Sequence, residues 1–319
     1  MYKNHKFSLI LLLSGEGNRF QGDKPKQFYN LSGKRIYLHA LDAFYDLNVF
    51  DEIILVCIKD WMDIVKKETS FYKNIKIAEG GSTRQKSAYF GLKVCSKPDF
   101  VLFHDAVRPF VTKKTILENL DAVIIHKAVD TCIKSTDTLV EINKDNFIEK
   151  VPNRSNYLRG QTPQTFEYSL IYEAHKKAFE NNNFNATDDC QLVIDETKIF
   201  VVTGSENNIK ITNKLDLFVA EQLLRMQNIN LISNQKKDLF NKVFAVVGAT
   251  GGIGREIVNS LKHENAIVLE LSRNAEYKID LTNYESIKTA FEKIYNQYGE
   301  ISGLINAAGL LLVKPFKNT

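Results

Sequence analysis

Several features that define particular classes of protein are missing from this sequence. Cysteine is scarce: the 319 residues include four, with no C-x-x-C pair and no accompanying cluster of histidines. This pattern predicts free thiols in a reducing compartment, and it argues against a disulfide framework or a structural zinc site.

Long apolar runs and blocks of like charge are also absent. No apolar stretch approaches the roughly 20 residues of a membrane span, and no block of lysine and arginine resembles a nucleic-acid-binding tail. The apolar run at residues 6–13 is short and leads into a glycine-rich segment instead of a cleavage site, so we predict no signal peptide. We therefore expect a cytoplasmic protein that binds neither membranes nor nucleic acid.

What is present is an ordinary globular composition. Apolar residues make up 44% of the chain and charged residues 25%, and the length allows one large domain or two ordinary ones. The net charge of +4 is spread thinly and is compatible with anionic small substrates. Two glycine-rich loops, residues 13–19 and 248–254, each follow an apolar run, which suggests two nucleotide sites in two successive units.

Short apolar runs alternate with longer amphipathic stretches in the first unit. This alternation predicts an α/β fold with a mainly parallel sheet and helices on both faces. The segment Val140–Gln164 interrupts the alternation, and we predict that it forms an antiparallel excursion from the core. The predicted strands are Ser8–Ser14, Glu52–Ile58, Ile75–Ala78, Phe100–His104, Ala128–Ile133 and Ile199–Thr203. The predicted helices are Ile36–Asp46, Thr83–Val94, Lys113–His126, Ser169–Asn181 and Leu215–Arg225.

A polar stretch, Asn228–Asn241, precedes a second series of elements. We predict a first domain over residues 1–230, a linker over 231–241 and a second domain over 242–319. The elements predicted in the second domain are strand Lys242–Val247, helix Arg255–His263, strand Ala266–Ser272, helix Asn283–Tyr298 and strand Gly303–Asn306.

The first glycine-rich loop has the composition of a phosphate-binding turn. Gly15 and Gly17 permit a close backbone approach that a Cβ would block, and successive N–H groups can then face a phosphate chain. Arg19 and Lys26 add positive charge where a triphosphate would lie. Taken alone, the loop favours a plain strand-to-helix turn with solvated cations.

Two further segments favour a nucleotide site. Residues 80–87 form a second glycine turn that opens a predicted helix, whose N-terminus offers free N–H donors and partial positive charge. Asp105 and Arg108 follow the end of an apolar strand, where ligands bind in open α/β sheets. Asp105 there suits Mg²⁺, because this ion usually takes one or two carboxylates plus phosphate oxygens. A helix N-cap is the alternative role for Asp105.

Together these segments resemble the cytidylyltransferases that make CDP-methylerythritol or CDP-ribitol. The matching motifs, in the family's order over residues 6–226, are L-x-S-G-x-G-x-R-F, P-K-Q, G-G-x-x-R-x-x-S, H-D-A-x-R-P, T-P-Q and N-I-K-I-T. The resemblance implies a Rossmann-like, GT-A-like nucleotidyltransferase fold with a β-arm, CTP and a polyol phosphate as substrates, and Mg²⁺ as the metal. It also implies a homodimer in which the arm over residues 140–164 reaches the partner's site.

The resemblance assigns roles to the positions that match the family's motifs. The implied catalytic residues are Arg19, Lys26 and Lys210. The implied CTP-binding residues are Ser14, Gly15, Gly17, Gly80, Gly81, Ser82, Arg84 and Ser87. The implied substrate-binding residues are Asp105, Thr138, Arg154 and Thr162, with Asp105 also the metal ligand and Arg154 acting in trans.

Several positions depart from the family's pattern or have only supporting roles. Leu13 and Ser14 stand where the family often has two alanines, and Ser82 and Asn207 stand where an aspartate is frequent. The segment 187–189, Thr-Asp-Asp, matches the family's T-D-[DE] element, which implies a helix start near the site.

The second glycine-rich loop resembles that of the short-chain dehydrogenases/reductases, because it follows a predicted strand and opens a predicted helix. The resemblance implies a partial C-terminal Rossmann unit, with NADPH favoured because Arg273 after the second strand suits a 2′-phosphate. The implied cofactor-binding residues are Gly248, Thr250, Gly252, Ile253, Gly254, Arg273, Asp280 and Asn306. The catalytic Tyr-x-x-x-Lys of that family would lie beyond Thr319, so we expect a truncated unit that is inactive as a reductase in this chain.

The order of the two units suggests the acceptor. It resembles bifunctional bacterial capsule enzymes that reduce ribulose 5-phosphate and then make CDP-ribitol, so we expect ribitol 5-phosphate. The alternatives are a 2-C-methyl-D-erythritol 4-phosphate cytidylyltransferase of isoprenoid synthesis and a non-catalytic nucleotide-binding protein. The set of Arg19, Lys26, Asp105 and Lys210 argues against the last of these.

Overall fold

The computed structural model describes residues 1–15, 20, 22–234 and 239–309, apart from the side chains of residues 228–234. Tertiary contacts divide the chain into two compact units, Met1–Asn228 and Ile229–Thr319. Each unit has a hydrophobic core of its own.

The first unit is built on a mainly parallel sheet. Its strands are β1 (Phe7–Leu13), β2 (Asn30–Leu31), β3 (Lys34–Arg35), β4 (Glu52–Cys57), β5 (Ile75–Glu79), β6 (Phe100–Asp105), β7 (Ala128–Lys134), β8 (Glu141–Ile142), β9 (Ile148–Lys150), β10 (Leu158–Glu167) and β11 (Phe200–Thr203). In the described part of the chain, seven strands form one sheet in the order β11-β7-β10-β6-β1-β4-β5. β10 is antiparallel to its neighbours β6 and β7, and the remaining pairs are parallel.

The apolar sequence of β1 explains its central place. All seven of its residues are buried, as expected for a parallel strand that is covered on both faces. Alternate side chains enter different clusters: Leu9 and Leu11 pack in one, and Ile10 and Leu12 in the other. Helices therefore cover both faces, and ligands can reach the sheet only at its edges.

Six helices surround this sheet in the described residues: α1 (Ile36–Tyr45), α2 (Met62–Glu68), α3 (Arg84–Val94), α4 (Lys113–His126), α5 (Tyr168–Glu180) and α6 (Lys214–Asn234). Two of them begin at a threonine cap. The Thr83 side chain accepts from the Lys86 N–H at the start of α3, and Thr112 accepts from Thr115 at the start of α4, both at 3.1 Å.

Three expectations about elements need correction. Helix α2 was not predicted, and α6 continues to Asn234, into the predicted linker. The predicted excursion Val140–Gln164 ends earlier, because β10 enters the centre of the sheet between β6 and β7. Its polar residues resemble a loop in sequence, but Gln164 donates to Asp130 inside the fold at 2.9 Å. The excursion proper contains the hairpin β8–β9, whose residues are exposed.

The second unit has its own parallel sheet. Its strands are β12 (Val243–Val247), β13 (Ile267–Ser272), β14 (Tyr277–Lys278) and β15 (Gly303–Asn306), and its helices are α7 (Gly252–His263) and α8 (Tyr284–Tyr298). The order is β14-β13-β12-β15 and every pair is parallel, so all carboxyl ends lie at one edge. Across the described residues of the chain, we find no helix long and apolar enough to cross a membrane.

Candidate active site

A cavity of about 290 Å³ lies at the carboxyl ends of β1 and β6. Parallel strands end together there, which is where open α/β sheets bind ligands. Its lining residues come from the first loop, the turn before α3, the end of β6 and the segment before α6. They are Leu12, Ser14, Gly15, Lys26, Gln27, Gly81, Ser82, Thr83, Arg84, Asp105, Val107 and Lys210.

The two glycine turns are joined through hydroxyl groups. Ser14 and Ser87 are hydrogen-bonded at 2.6 Å, and the Gly81 N–H donates to Ser87 at 3.0 Å. Gly80 lies so close to Ser14 that an added Cβ would approach the serine Cβ to 2.3 Å. Gly80 is therefore required for packing, and Ser87, which is buried, joins the turns instead of lining the cavity.

The backbone at the start of the first loop is held by Gln27, a residue for which we predicted no role. The buried amide of Gln27 donates to the backbone oxygens of Leu13 and Gly15. The sequence signal was its place in the Pro-Lys-Gln motif. Gly17 and Arg19, for which phosphate contacts were predicted, lie outside the described residues.

Asp105 is the centre of the charge arrangement. Its Oδ2 is 2.9 Å from Lys210 Nζ and 3.4 Å from Arg108 Nε, and its Oδ1 is 3.5 Å from Arg84 Nε. Burial opposes ionisation of this carboxyl, but the charges of Lys210, Arg84 and Arg108 outweigh it and hold the pKa of Asp105 far below its usual value. Asp105 is therefore ionised over the physiological pH range.

The turn after β6 is fixed by His104. Burial lowers the pKa of His104 to about 4, so the ring is neutral at pH 7. Its Nε2 donates to the Arg108 carbonyl at 3.0 Å, which leaves Nδ1 to accept from the Thr162 hydroxyl at 3.0 Å. The Thr162 oxygen also accepts from the Asp105 N–H at 3.1 Å. Thr162, expected to bind the substrate phosphate, is buried here and supports the Asp105 turn.

The segment before α6 is tied to this turn by Asn208. Arg108 donates to the Asn208 carbonyl at 2.8 Å, and the Asn208 amide donates to the Thr162 carbonyl at 2.8 Å. Lys210 follows two residues later and lines the cavity. The sequence placed Asn208 in the Asn-Ile-Lys-Ile-Thr motif but gave no sign of this connecting role.

Two predicted substrate residues are not brought to the cavity within a single chain. Thr138 and Arg154 are both exposed, and neither lines the cavity. Arg154 donates instead to the backbone oxygen of Thr136 at 2.8 Å. Both residues flank the exposed β8–β9 hairpin.

In the second unit, the glycine loop lies at the carboxyl edge of the sheet. Gly248 has φ of 78°, and an added Cβ would lie 2.6 Å from the Ala308 nitrogen. A Cβ on Gly254 would lie 2.1 Å from the Gly248 oxygen, so α7 can pack against the loop only with glycine there. The other predicted positions are at the N-terminus of α7, at the end of a strand or just beyond one: Thr250, Gly252, Ile253, Arg273, Asp280 and Asn306.

Asp280 and Asn306 have structural partners. The Asp280 carboxylate accepts from the N–H and hydroxyl of Thr282, at 3.0 and 2.8 Å. The Asn306 side chain accepts from the Ala308 N–H at 3.1 Å. Arg273, at the end of β13, is exposed. These contacts shape the carboxyl edge of the second sheet.

The chemistry of the first cavity suits a metal that arrives with a polyphosphate. In the described residues, no three acidic, histidine or cysteine side chains converge to form a metal site. Asp105 supplies one hard oxygen ligand, and Mg²⁺ commonly uses one carboxylate together with substrate phosphates. Asp105 Oδ1 is 3.5 Å from Arg84 Nε, whereas the contacts of Lys210 and Arg108 are to Oδ2, so this carboxylate fits such an ion.

The sheet, the glycine turns and the cluster of cations around Asp105 define a nucleotidyltransferase. The sequence profile of the 2-C-methyl-D-erythritol 4-phosphate cytidylyltransferases matches residues 7–226. The chain belongs to this family, and its first unit is a cytidylyltransferase domain. The short chain dehydrogenase profile matches residues 242–319, so a domain of that kind follows.

Two curated relatives and one solved structure illustrate the similarity. A 2-C-methyl-D-erythritol 4-phosphate cytidylyltransferase from Clostridioides difficile is 40% identical over 72% of this chain and 99% of its own length. A bifunctional ribulose 5-phosphate reductase/CDP-ribitol pyrophosphorylase from Haemophilus influenzae is 33% identical over 98% of this chain and 68% of its own. The crystal structure of 4-diphosphocytidyl-2C-methyl-D-erythritol synthase from Anaerococcus prevotii is 35% identical, with a TM-score of 0.63 over 69% of this chain and 99% of that one.

Proposed function

We propose that the first unit transfers CMP from CTP to D-ribitol 5-phosphate, giving CDP-ribitol and pyrophosphate for a surface polymer of the capsule or teichoic-acid type. The observation that supports this acceptor is the order of the domains. A cytidylyltransferase match is followed by a short chain dehydrogenase match, and the relative aligned over 98% of the chain is named for both activities.

A second acceptor, 2-C-methyl-D-erythritol 4-phosphate, is supported by a different observation. The relative that is 40% identical is named for that substrate. The two acceptors require the same chemistry, because each presents a phosphate monoester to the same nucleotide.

The proposed reaction needs no general base. The second pKa of a phosphate monoester is about 6, so the acceptor oxygen is ionised at neutral pH. It attacks the α-phosphorus of CTP, a new P–O bond forms, and the bond to the β-phosphate breaks with release of pyrophosphate. The main obstacle is the approach of two polyanions.

The cations of the cavity would lower that obstacle. Lys26 and Lys210 line it, and we assign them to the triphosphate, with Lys210 at the α-phosphate. A bound Mg²⁺ would hold phosphate oxygens against Asp105 and neutralise part of their charge. Because Lys26 and Lys210 belong to the cavity before the substrate binds, their charges stabilise the transition state with little reorganisation.

The experiment is to incubate the full chain with CTP, Mg²⁺ and each polyol phosphate separately. We expect pyrophosphate release with ribitol 5-phosphate and a product with the mass of CDP-ribitol. Release with methylerythritol phosphate alone would move the assignment to the second acceptor.

The arm over residues 140–164, which contains the β8–β9 hairpin, supports the proposal of a homodimer. Three large apolar side chains on it, Ile142, Phe147 and Ile148, are 53%, 71% and 62% exposed in the single chain, an unusual concentration for a short hairpin. We propose that a second copy covers them and that Arg154 then reaches the partner's site. Phe147→Asp should convert a dimer to a monomer in light scattering and lower turnover. A wild-type monomer would contradict the proposal.

We also propose that the second unit binds NADPH. The constraints on Gly248 and Gly254 and the exposed Arg273 at the end of β13 suit a dinucleotide with a 2′-phosphate. NADPH fluorescence in a titration of the full chain should show saturation, which Arg273→Ala should weaken more for NADPH than for NADH. Equal weakening for both cofactors would remove the 2′-phosphate assignment.

A further inference from the structure

A line of buried and half-buried charged and polar groups runs from helix α5 to the cavity. It consists of His175, Asp189, Arg84 and Asp105. The sequence assigned Arg84 to CTP and gave Asp189 only a supporting place in the Thr-Asp-Asp element, and His175 had no role.

The contacts in this line are unequal. Arg84 Nη1 donates to Asp189 Oδ2 at 2.8 Å, whereas Arg84 Nε is 3.5 Å from Asp105 Oδ1. His175 Nε2 is 3.1 Å from Asp189 Oδ1. The Asp189 backbone N–H donates to Gln164 at 3.2 Å, which fixes the position of the residue. The guanidinium is therefore held by Asp189 and only approached by Asp105.

The burial of Asp189 makes these contacts strong. The Asp189 side chain is 1% exposed and that of His175 is 0% exposed. Burial opposes ionisation of Asp189, but Arg84 and His175 outweigh it and keep the pKa of Asp189 below its usual value. An ionised carboxylate only accepts hydrogen bonds, so His175 Nε2 is the donor of its pair.

Only one of the two ring nitrogens of His175 makes a hydrogen bond in the described part of the chain. Its Nδ1 is buried and has no hydrogen-bond partner among the described residues. The ring is stacked against Tyr89 with centroids 6.3 Å apart and lies 6.1 Å from the Phe103 ring. The ring therefore lies among aromatic side chains, and its hydrogen bond is to Asp189. We infer that this hydrogen bond is the reason for a histidine at position 175.

We propose that Asp189, supported by His175, is a positioning residue that holds the Arg84 guanidinium back from Asp105. Without Asp189, the nearest carboxylate for Arg84 in the described part of the chain is Asp105, at 3.5 Å. A closer contact would occupy the oxygen that the polyphosphate-bound metal needs. The inference rests on the proposed role of Asp105 in the cytidylyltransferase site. It is independent of the identity of the acceptor.

The first test compares Asp189→Asn with wild type in two measurements. Manganese binding in the presence of CTP, followed by the EPR signal of free Mn²⁺, should weaken about tenfold, because Arg84 competes for Asp105. The kcat with CTP and the better acceptor should fall at least tenfold, with KM for CTP changed less than threefold. Asp188→Asn is the matched control: the Asp188 carboxylate accepts from the Gln191 N–H and makes no ion pair with Arg84 in the described part of the chain, so the substitution should change neither value more than threefold.

The histidine is tested by a conservative pair of substitutions. His175→Gln retains an N–H donor for Asp189 and should remain within about threefold of wild type. His175→Leu removes the donor and should shift Mn²⁺ binding in the same direction as Asp189→Asn. If both His175 variants bind Mn²⁺ like wild type, the histidine has no part in positioning.

A double-mutant cycle separates positioning from a general structural role. If Asp189 acts through Arg84, adding Asp189→Asn to Arg84→Met should cause less than a twofold further loss of kcat. Full additivity, or unchanged Mn²⁺ binding in a folded Asp189→Asn variant, would overturn the proposal. A wild-type chain that transfers CMP to neither polyol phosphate would instead contradict the proposed function, and the Mn²⁺ and CTP measurement would still decide this inference.

Discussion

Two buried carboxylates lie at opposite edges of the first sheet and have different surroundings. Glu52 is at the amino end of β4, opposite Ser8, and Asp105 is at the carboxyl end of β6, opposite Leu12. Glu52 accepts from Ser8 at 2.6 Å, from Lys76 at 2.6 Å and from the Ser96 N–H at 2.7 Å. Its oxygens have short contacts, and Lys76, the one cation paired with it among the described residues, balances its charge.

The contacts of Asp105 are longer than those of Glu52, and the cations around Asp105 carry more charge than its carboxylate neutralises. Lys210, Arg84 and Arg108 all lie within 3.5 Å of it, and Asp189 offsets only part of the excess. The amino edge of the sheet therefore holds a stabilising ion pair, and the carboxyl edge holds the residues of the candidate active site. At the amino edge, the charges of Glu52 and Lys76 neutralise each other. At the carboxyl edge, the cations around Asp105 leave an excess of fixed positive charge for an anionic substrate.

The largest effect is expected at the carboxyl edge. Lys210→Ala, and separately Lys26→Ala, should lower kcat/KM about a hundredfold or more, because each removes a fixed charge from the transition state. Urea denaturation followed by the fluorescence of Trp61 should have an unchanged midpoint. The chain has one tryptophan, so this signal reports on the first unit alone.

The control for these variants is Lys66→Ala, an exposed lysine on α2. It removes the same charge from a residue that does not line the cavity and should leave both kcat/KM and the urea midpoint unaltered. Near-normal turnover in either cavity variant would remove that lysine from the catalytic assignment.

The amino edge should show the reverse. Glu52→Gln should lower the free energy of unfolding of the first unit by about 2 kcal/mol, because it breaks a buried, hydrogen-bonded ion pair. At a temperature where the variant is folded, kcat/KM should stay within about twofold of wild type. A loss of activity without a loss of stability would erase the distinction between the two edges.

The smallest effect is a pH dependence of the same pair. Burial opposes ionisation of Glu52, but the contacts from Lys76, Ser8 and Ser96 outweigh it and hold the pKa of Glu52 below its usual value. A carboxyl whose pKa is lower when folded stabilises the protein above its unfolded pKa of about 4.3, and this contribution is lost as the pH falls through the folded value.

The measurement is the difference in urea midpoint between wild type and Glu52→Gln at several pH values. It should be largest near pH 7 and should close progressively below about pH 4. A difference that stays constant with pH would mean that the charge of Glu52 has no stabilising role.

The fold was largely predictable because its strands are short, apolar and separated by amphipathic helices. The continuous apolar run of β1 indicated a parallel sheet covered on both faces. The antiparallel β10 could not be predicted, since Gln161, Thr162 and Gln164 have the polarity of a loop. Their side chains bond to partners such as Asp130 and Asn208 that are distant in sequence, and only the folded chain brings these together.

The candidate site was predictable where residues belong to compact motifs. Lys26, Asp105 and Lys210 could be predicted because each lies near a glycine turn, at a strand end or in a short family motif, and all three line one cavity in the structure. Asp189 and His175 do not line the cavity themselves but lie behind the residues that do. Their contacts depend on how α5 packs on α3. The sequence contains no periodicity or spacing that reports such contacts.

The most direct test of the proposed function is an internal competition. The full chain is supplied with CTP, Mg²⁺ and equal concentrations of ribitol 5-phosphate and 2-C-methyl-D-erythritol 4-phosphate, and the two CDP products are quantified at low conversion. Their ratio equals the ratio of the two kcat/KM values. We predict at least a tenfold excess of CDP-ribitol, and an excess of CDP-methylerythritol would contradict the proposed acceptor.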